Sequence, residues 1–141
     1  MKCIDEEIPF EIPEGWEWCR VIEVILPPKY GTSSKSLPLG DVPVLRMGNI
    51  QNGEIAYDKL VFSDNKSDNE KYDLQKGDLL FNRTNSAELV GKTAIYRGEH
   101  KSIYAGYLIL LRPLFINSDF LNYIFSTPYV RSYCQEVKTI G

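Results

Sequence analysis

Two short polar stretches of this 141-residue sequence carry the side chains best suited to recognition chemistry. The first, Lys29-Tyr30-Gly31-Thr32-Ser33-Ser34-Lys35, offers two ammonium groups, four hydroxyls and a glycine that would let backbone approach a phosphate closely. The second, Asn82-Arg83-Thr84-Asn85-Ser86, sets a guanidinium between two amides directly after an apolar run. Arginine matches the paired acceptors of guanine and asparagine the donor and acceptor of adenine, so such a loop has the chemistry to read base edges. The same composition also suits a hydrogen-bonded turn carrying a solvated arginine, and residue types alone leave both readings open. Two further cations, Arg46 and Lys92, complete the candidate set. Arg46, Gly48 and Asn49 suit an architectural role equally well, because a fixed strand end would also require them.

Catalytic chemistry is hard to assemble from the rest. An amino-methyltransferase of DNA needs Asp, Asn or Ser before Pro-Pro-aromatic to hold the target amine. Leu26-Pro27-Pro28-Lys29 has the two prolines with the wrong flanks and reads as a rigid turn. Glu136-Val137-Lys138 has a nuclease-like Glu-x-Lys spacing but falls in a predicted amphipathic helix. His100, between Glu99 and Lys101, reads as a solvated turn histidine rather than a base or metal ligand. Cys3, Cys19 and Cys134 are odd in number and widely spaced, with one histidine in the chain, which fits neither a disulfide framework nor a zinc site. The expectation is a binding domain with no catalytic residues, no metal and no cofactor of its own.

The net charge of −3 argues against a simple nucleic-acid binder, but its distribution is uneven. Met1 to Val24 carries seven acidic against two basic groups, and Glu54 to Asp78 seven against four. Lys29 to Gln51 carries three basic against one acidic, and Leu79 to Arg112 five against two. Lys29, Lys35, Arg46, Arg83 and Lys92 could therefore form a basic face opposite an acidic amino-terminal one. An evenly solvated surface fits the same counts.

The elements that must position these groups are short strands followed by helices. With 43% hydrophobic and 25% charged residues, the chain can bury one core of ordinary size, which predicts a single domain over 1–141. No apolar run reaches membrane-spanning length, and Met1 to Pro13 lacks the basic flank and apolar stretch of a signal peptide, so a cytoplasmic protein without membrane contact is expected. Ile12-Pro13-Glu14-Gly15 reads as a turn, after which Trp16, Trp18 and Val21 are spaced to settle onto a core. Pro27 to Lys35 is built of breakers and hydroxyl residues and predicts an exposed loop. Val42 to Ile50 reads as extended, with a hairpin turn at Gln51-Asn52-Gly53-Glu54. Ser63 to Lys71 reads as a polar connection. Asp78 to Asn82, Lys92 to Tyr96 and Ser102 to Leu111 predict strands, the last long, apolar and central. Ser118 is a plausible cap for a helix bearing Phe120, Leu121, Ile124 and Phe125. Thr127-Pro128 opens a second, with Tyr129, Val130, Tyr133, Cys134 and Val137 at helical spacing.

The string Gly77-Asp78-Leu79-Leu80-Phe81-Asn82-Arg83-Thr84-Asn85-Ser86, continuing through Leu89-Val90-Gly91-Lys92-Thr93-Ala94, resembles the "GDLLF-x-RT-x-S...GK" signature of type I restriction-modification specificity subunits. Ile12 to Trp18, Tyr30 to Lys35 and Val44 to Ile50 resemble further segments of that family, in the same order. The resemblance implies an α+β target recognition domain, a twisted mixed β-sheet with two C-terminal helices, in which 118–141 begins a helical region. It implies that the chain reads one half of a split site in double-stranded DNA. Lys29, Tyr30, Ser33, Lys35, Arg46, Asn82, Arg83, Asn85, Ser86 and Lys92 are the expected DNA-facing set. S-adenosylmethionine would be bound by a modification subunit, which is an expected partner together with a restriction subunit. The family pattern continues into a spacer helix and a second recognition domain, so the expectation is a fragment of a longer subunit. The recognition region of a fused restriction-methyltransferase polypeptide and a protein-interaction domain are the competing readings.

Overall fold

A computed structural model of the chain describes residues 10–83 and 89–137. Strands β1 (Lys29–Tyr30), β2 (Val42–Leu45), β3 (Ile50–Gln51), β4 (Glu54–Ile55) and β5 (Val61–Ser63) precede helix α1 (Lys66–Lys71). Strands β6 (Leu79–Asn82), β7 (Thr93–Ile95), β8 (Ile103–Tyr104) and β9 (Leu108–Leu111) follow, then helices α2 (Ser118–Ser126) and α3 (Pro128–Val137). The strands form a six-stranded sheet ordered β1-β9-β6-β7-β4-β3 and a three-stranded sheet ordered β5-β2-β8. Parallel pairing of β4 with β7 and of β2 with β8 among otherwise antiparallel neighbours makes both sheets mixed. The α+β class and the two C-terminal helices expected from the sequence are present.

The period of two along a strand explains how β6 and β9 carry two cores. Leu79, Phe81, Ile109 and Leu111 pack on one face with Leu121 and Phe125 of α2. Leu80, Leu108 and Leu110 pack on the other with Leu45 of β2 and Tyr104 of β8, which brings the small sheet against the large one. A strand covered on both faces must be apolar at nearly every position, and Leu79-Leu80-Phe81 and Leu108 to Leu111 are. Asn52 (φ 53°) and Gly53 (φ 80°) take the two left-handed positions of the β3–β4 hairpin turn expected from their sequence.

Several expected elements differ. Ser102 to Leu111 is two strands in two sheets, because the chain turns at Ala105-Gly106-Tyr107, closed by Leu108 N–H donating to the Ala105 carbonyl at 3.0 Å. The extended run from Val42 stops at Leu45, where a 3-10 turn over Met47–Asn49 carries the chain into the other sheet. Pro27 to Lys35 is not loop throughout: Lys29 and Tyr30 pair with Leu110 and Ile109 at the sheet edge, where the preceding prolines have no ladder bond to donate. The polar connection contains α1, a short helix capped by the Asn65 carboxamide, which accepts from Asp68 N–H at 3.2 Å. The cap of α2 is Asn117 rather than Ser118, its side chain accepting from Phe120 N–H at 3.0 Å. Trp16 and Val21 do not enter a core: Trp16 is 56% and Val21 39% exposed, and the Trp16 ring stands edge-to-face with Phe120, itself 40% exposed.

Candidate nucleic-acid interface

Strand β6 leads into the second polar loop, and most of its side chains are committed to the fold before the loop begins. Asp78, 1% exposed, accepts from Arg112 Nε and Nη2, both at 2.8 Å, and from Gln75 N–H at 2.8 Å. That pairing raises the Arg112 pKa further above its ordinary value. Asn82 is 2% exposed and donates its amide to the Leu89 carbonyl at 3.0 Å, while its backbone bonds with Gly91 and Lys92. Asn82 therefore ties together the two ends of the loop, and the expectation that it faces DNA is corrected on this ground: its amide points inward. Asn85 and Ser86, with Thr84, lie outside the described residues. The loop returns at Gly91, whose φ of +80° and 2.7 Å separation between a would-be Cβ and Cys134 Sγ leave no room for a side chain under α3.

Arg83 is where this region turns outward. Its backbone N–H donates to the Tyr107 carbonyl at 3.3 Å, and its guanidinium Cζ lies 4.7 Å over the centroid of the Tyr30 ring. Tyr30 is 57% and Tyr107 41% exposed, so the three residues form one accessible cluster built from β1, the end of β6 and the turn before β9. Sequence reasoning missed Tyr107 because it placed that residue inside a continuous strand. The Ala105-Gly106 pair was the available signal for a turn.

Neighbouring residues of a strand point to opposite faces, and Lys29 follows that rule against Tyr30. Lys29 Nζ donates to the Lys71 carbonyl at the end of α1 at 2.7 Å and lies 5.3 Å over the Tyr72 ring. Beyond β1, Thr32 is buried, its hydroxyl donating to Asp68 Oδ2 at 2.7 Å and accepting from Ser34 N–H at 3.0 Å. Side-chain hydrogen bonds to its carboxylate, from Ser34 and then Thr32, hold the Asp68 carboxyl below its ordinary pKa. Ser33 and Lys35 are left exposed on the pinned loop. At Gly31 a Cβ would collide with the Tyr104 and Ala105 carbonyls, so its missing side chain serves internal packing.

Arg46 and Tyr107 line one cleft with Met47, Gly48, Asn49, Asp58 and Lys59. Arg46 Nη2 donates to the Lys59 carbonyl at 2.9 Å. Asn49, 3% exposed, accepts from Arg46 N–H at 2.9 Å and donates to the Ala56 and Asp58 carbonyls at 2.8 and 3.0 Å, which makes it architectural. Lys92 lines a different cleft, with Arg131, Asn122 and Asp119 beside α2. There Asp119 pairs with Arg97, which lowers the Asp119 pKa. The structure thus joins Tyr30, Arg83 and, through Tyr107, Arg46. It sends Lys29 to the opposite face of β1 and Lys92 to another cleft, so the five cations do not share a single face.

The fold itself has known counterparts. It matches the HsdS subunit of Thermoanaerobacter tengcongensis with a TM-score of 0.68 at 17% identity, over 94% of this chain and 32% of that one. A chain of a type I R-M system solved to explain complex assembly and conformational transition matches with a TM-score of 0.64 at 18% identity, over 97% of this chain and 33% of that one. Sequence carries the relationship further. The putative type I restriction enzyme MjaX specificity subunit of Methanocaldococcus jannaschii is 35% identical over 107 residues, 73% of this chain and 25% of that protein. The EcoAI specificity subunit of Escherichia coli is 37% identical over 79 residues, 54% of this chain and 13% of that protein. No family model matches. The chain is homologous to one segment of type I restriction enzyme specificity subunits and spans about a quarter or less of the length of these two relatives. Among the described residues, no helix is long and apolar enough to cross a membrane.

Proposed function

We propose that this chain binds double-stranded DNA and reads one half of a split recognition site for a type I restriction-modification complex. The observation that carries the proposal is the 35% identity to a type I specificity subunit across most of the chain. The exposed Arg83, Tyr30 and Tyr107 cluster, with Arg46 nearby and Ser33 and Lys35 on the adjoining loop, supplies a surface whose chemistry suits a duplex. In this reading the chain contributes recognition and no catalytic step. A modification subunit binds S-adenosylmethionine and transfers the methyl group, and a restriction subunit cleaves. That the relatives are specificity subunits disfavours a fused restriction-methyltransferase polypeptide.

Titrating the full chain into a labelled mixed-sequence duplex at several salt concentrations tests the proposal. The affinity should fall as salt rises, and Lys35→Ala should reduce the magnitude of the logarithmic salt slope by about 0.9, the value of one phosphate contact. Absence of duplex binding even at low salt would leave the protein-interaction reading in its place.

A further inference from the structure

An exposed tyrosine under an exposed arginine contributes little to folding, since a solvent-facing cation–π pair is worth only a two- to five-fold equilibrium shift, roughly. The geometry nevertheless holds Arg83 closely. It follows the buried Asn82, its backbone N–H donates to the Tyr107 carbonyl, and its guanidinium lies over the Tyr30 ring. Tyr30 is itself fixed, because it pairs with Ile109 in the sheet. A free arginine samples many rotamers and must give up that freedom when it grips a pair of acceptors. A ring beneath the guanidinium removes part of that cost before binding, and because the ring contacts a face, the in-plane N–H donors stay available.

Resting on the DNA-binding reading above, we infer that Tyr30 is a positioning residue for Arg83: its ring presents the guanidinium edge to a paired acceptor on the duplex. Two such acceptors exist on DNA, the O6 and N7 atoms of guanine and the oxygens of a phosphate. Tyr30 contributes its ring to this task, not its hydroxyl.

The test compares the wild-type chain with Tyr30→Phe, Tyr30→Ala and Arg83→Ala, using random-sequence duplexes for selection and one enriched duplex for titration. Tyr30→Ala should weaken binding about two- to five-fold. Tyr30→Phe should restore wild-type affinity, and the melting temperatures of the three variants should match the wild type. Tyr30→Ala should add nothing to Arg83→Ala, since both act through one guanidinium. If the acceptor is guanine, a guanine enriched by the wild type disappears with Arg83→Ala and weakens with Tyr30→Ala. If it is phosphate, both changes act equally on all sequences, and Arg83→Ala reduces the salt slope. Loss of affinity in Arg83→Ala with none in Tyr30→Ala overturns the positioning role and leaves DNA binding standing. A loss in Tyr30→Ala that Tyr30→Phe does not restore also overturns it. Failure of the wild type to bind any duplex removes both readings.

Discussion

The segments Lys29 to Lys35 and Gly77 to Arg83 have similar claims as sequences, each carrying cationic and hydrogen-bonding side chains of the expected DNA-facing set, yet the fold uses them differently. In the first, Tyr30, Ser33 and Lys35 emerge while Gly31 and Thr32 do the anchoring. In the second, the side chains of Asp78, Leu79, Leu80 and Asn82 are all buried, and only Arg83 reaches solvent fully. An edge strand has one side of its backbone unpaired and can turn residues outward, whereas β6 lies between β7 and β9 with a core on each face. The segment with the strongest family signature is therefore mostly scaffold.

The hardest test of that contrast is to break the scaffold where it holds a charge. Arg112→Ala removes both guanidinium bonds from a carboxylate that is 1% exposed, and uncovering a buried charge costs about 3–5 kcal/mol. Chemical denaturation of the variant should show a loss of that size. A change under 1 kcal/mol, roughly, would mean that Asp78 finds water and that β6 is less closed than its burial indicates.

A finer test uses adjacent residues with opposite commitments. Asn82→Ala removes the buried side chain that donates to the Leu89 carbonyl and should cost about 1–3 kcal/mol of stability. Arg83→Ala should leave stability within about 0.5 kcal/mol of the wild type, yet weaken binding to a preferred duplex by about 1–3 kcal/mol if the guanidinium meets a base. Denaturation and competition binding on both variants separate the two. If Asn82→Ala were as stable as the wild type while Arg83→Ala unfolded, the assignment of scaffold and surface would be reversed.

What the sequence made legible follows from the range of the forces involved. The β3–β4 turn, β6, β7 and Pro128 at the head of α3 were readable because local rules set them: left-handed turn residues, apolar runs and a proline suited to a first helical turn. The division of Ser102 to Leu111 between two sheets was not, because nothing local distinguishes a long strand from two whose partners lie far away in sequence. The candidate site shows the same divide. Arg83 and Lys35 were found by residue type and are exposed, but Asn82 has the same chemistry as an exposed asparagine, and it is the closure of its own loop onto the Leu89 carbonyl, which no residue type announces, that turns it inward. Tyr30 was identified as polar and accessible, while its contact with Arg83 depends on strand pairing that no spacing rule contains.

The smallest effect probes how the first segment keeps its shape without a core around it. Its anchor is Asp68, whose carboxylate takes the Thr32 hydroxyl and whose pKa is lowered by hydrogen bonds from Ser34 and Thr32. A carboxyl that is more acidic when folded stabilises the fold above its unfolded pKa of about 3.9, and that stabilisation is lost as the pH falls through the lower folded value. Asp68→Asn cannot titrate, so the wild type should be the more stable of the two near neutral pH, and the gap should narrow as pH drops below about 4. Thermal melts of both proteins across that range measure the gap directly. A gap that stays constant with pH would show that the backbone bonds of Gly31 and Thr32 to Leu108 and Tyr104 hold the segment without the Asp68 charge, and the first segment would then resemble the second in depending on buried contacts rather than on a charged anchor.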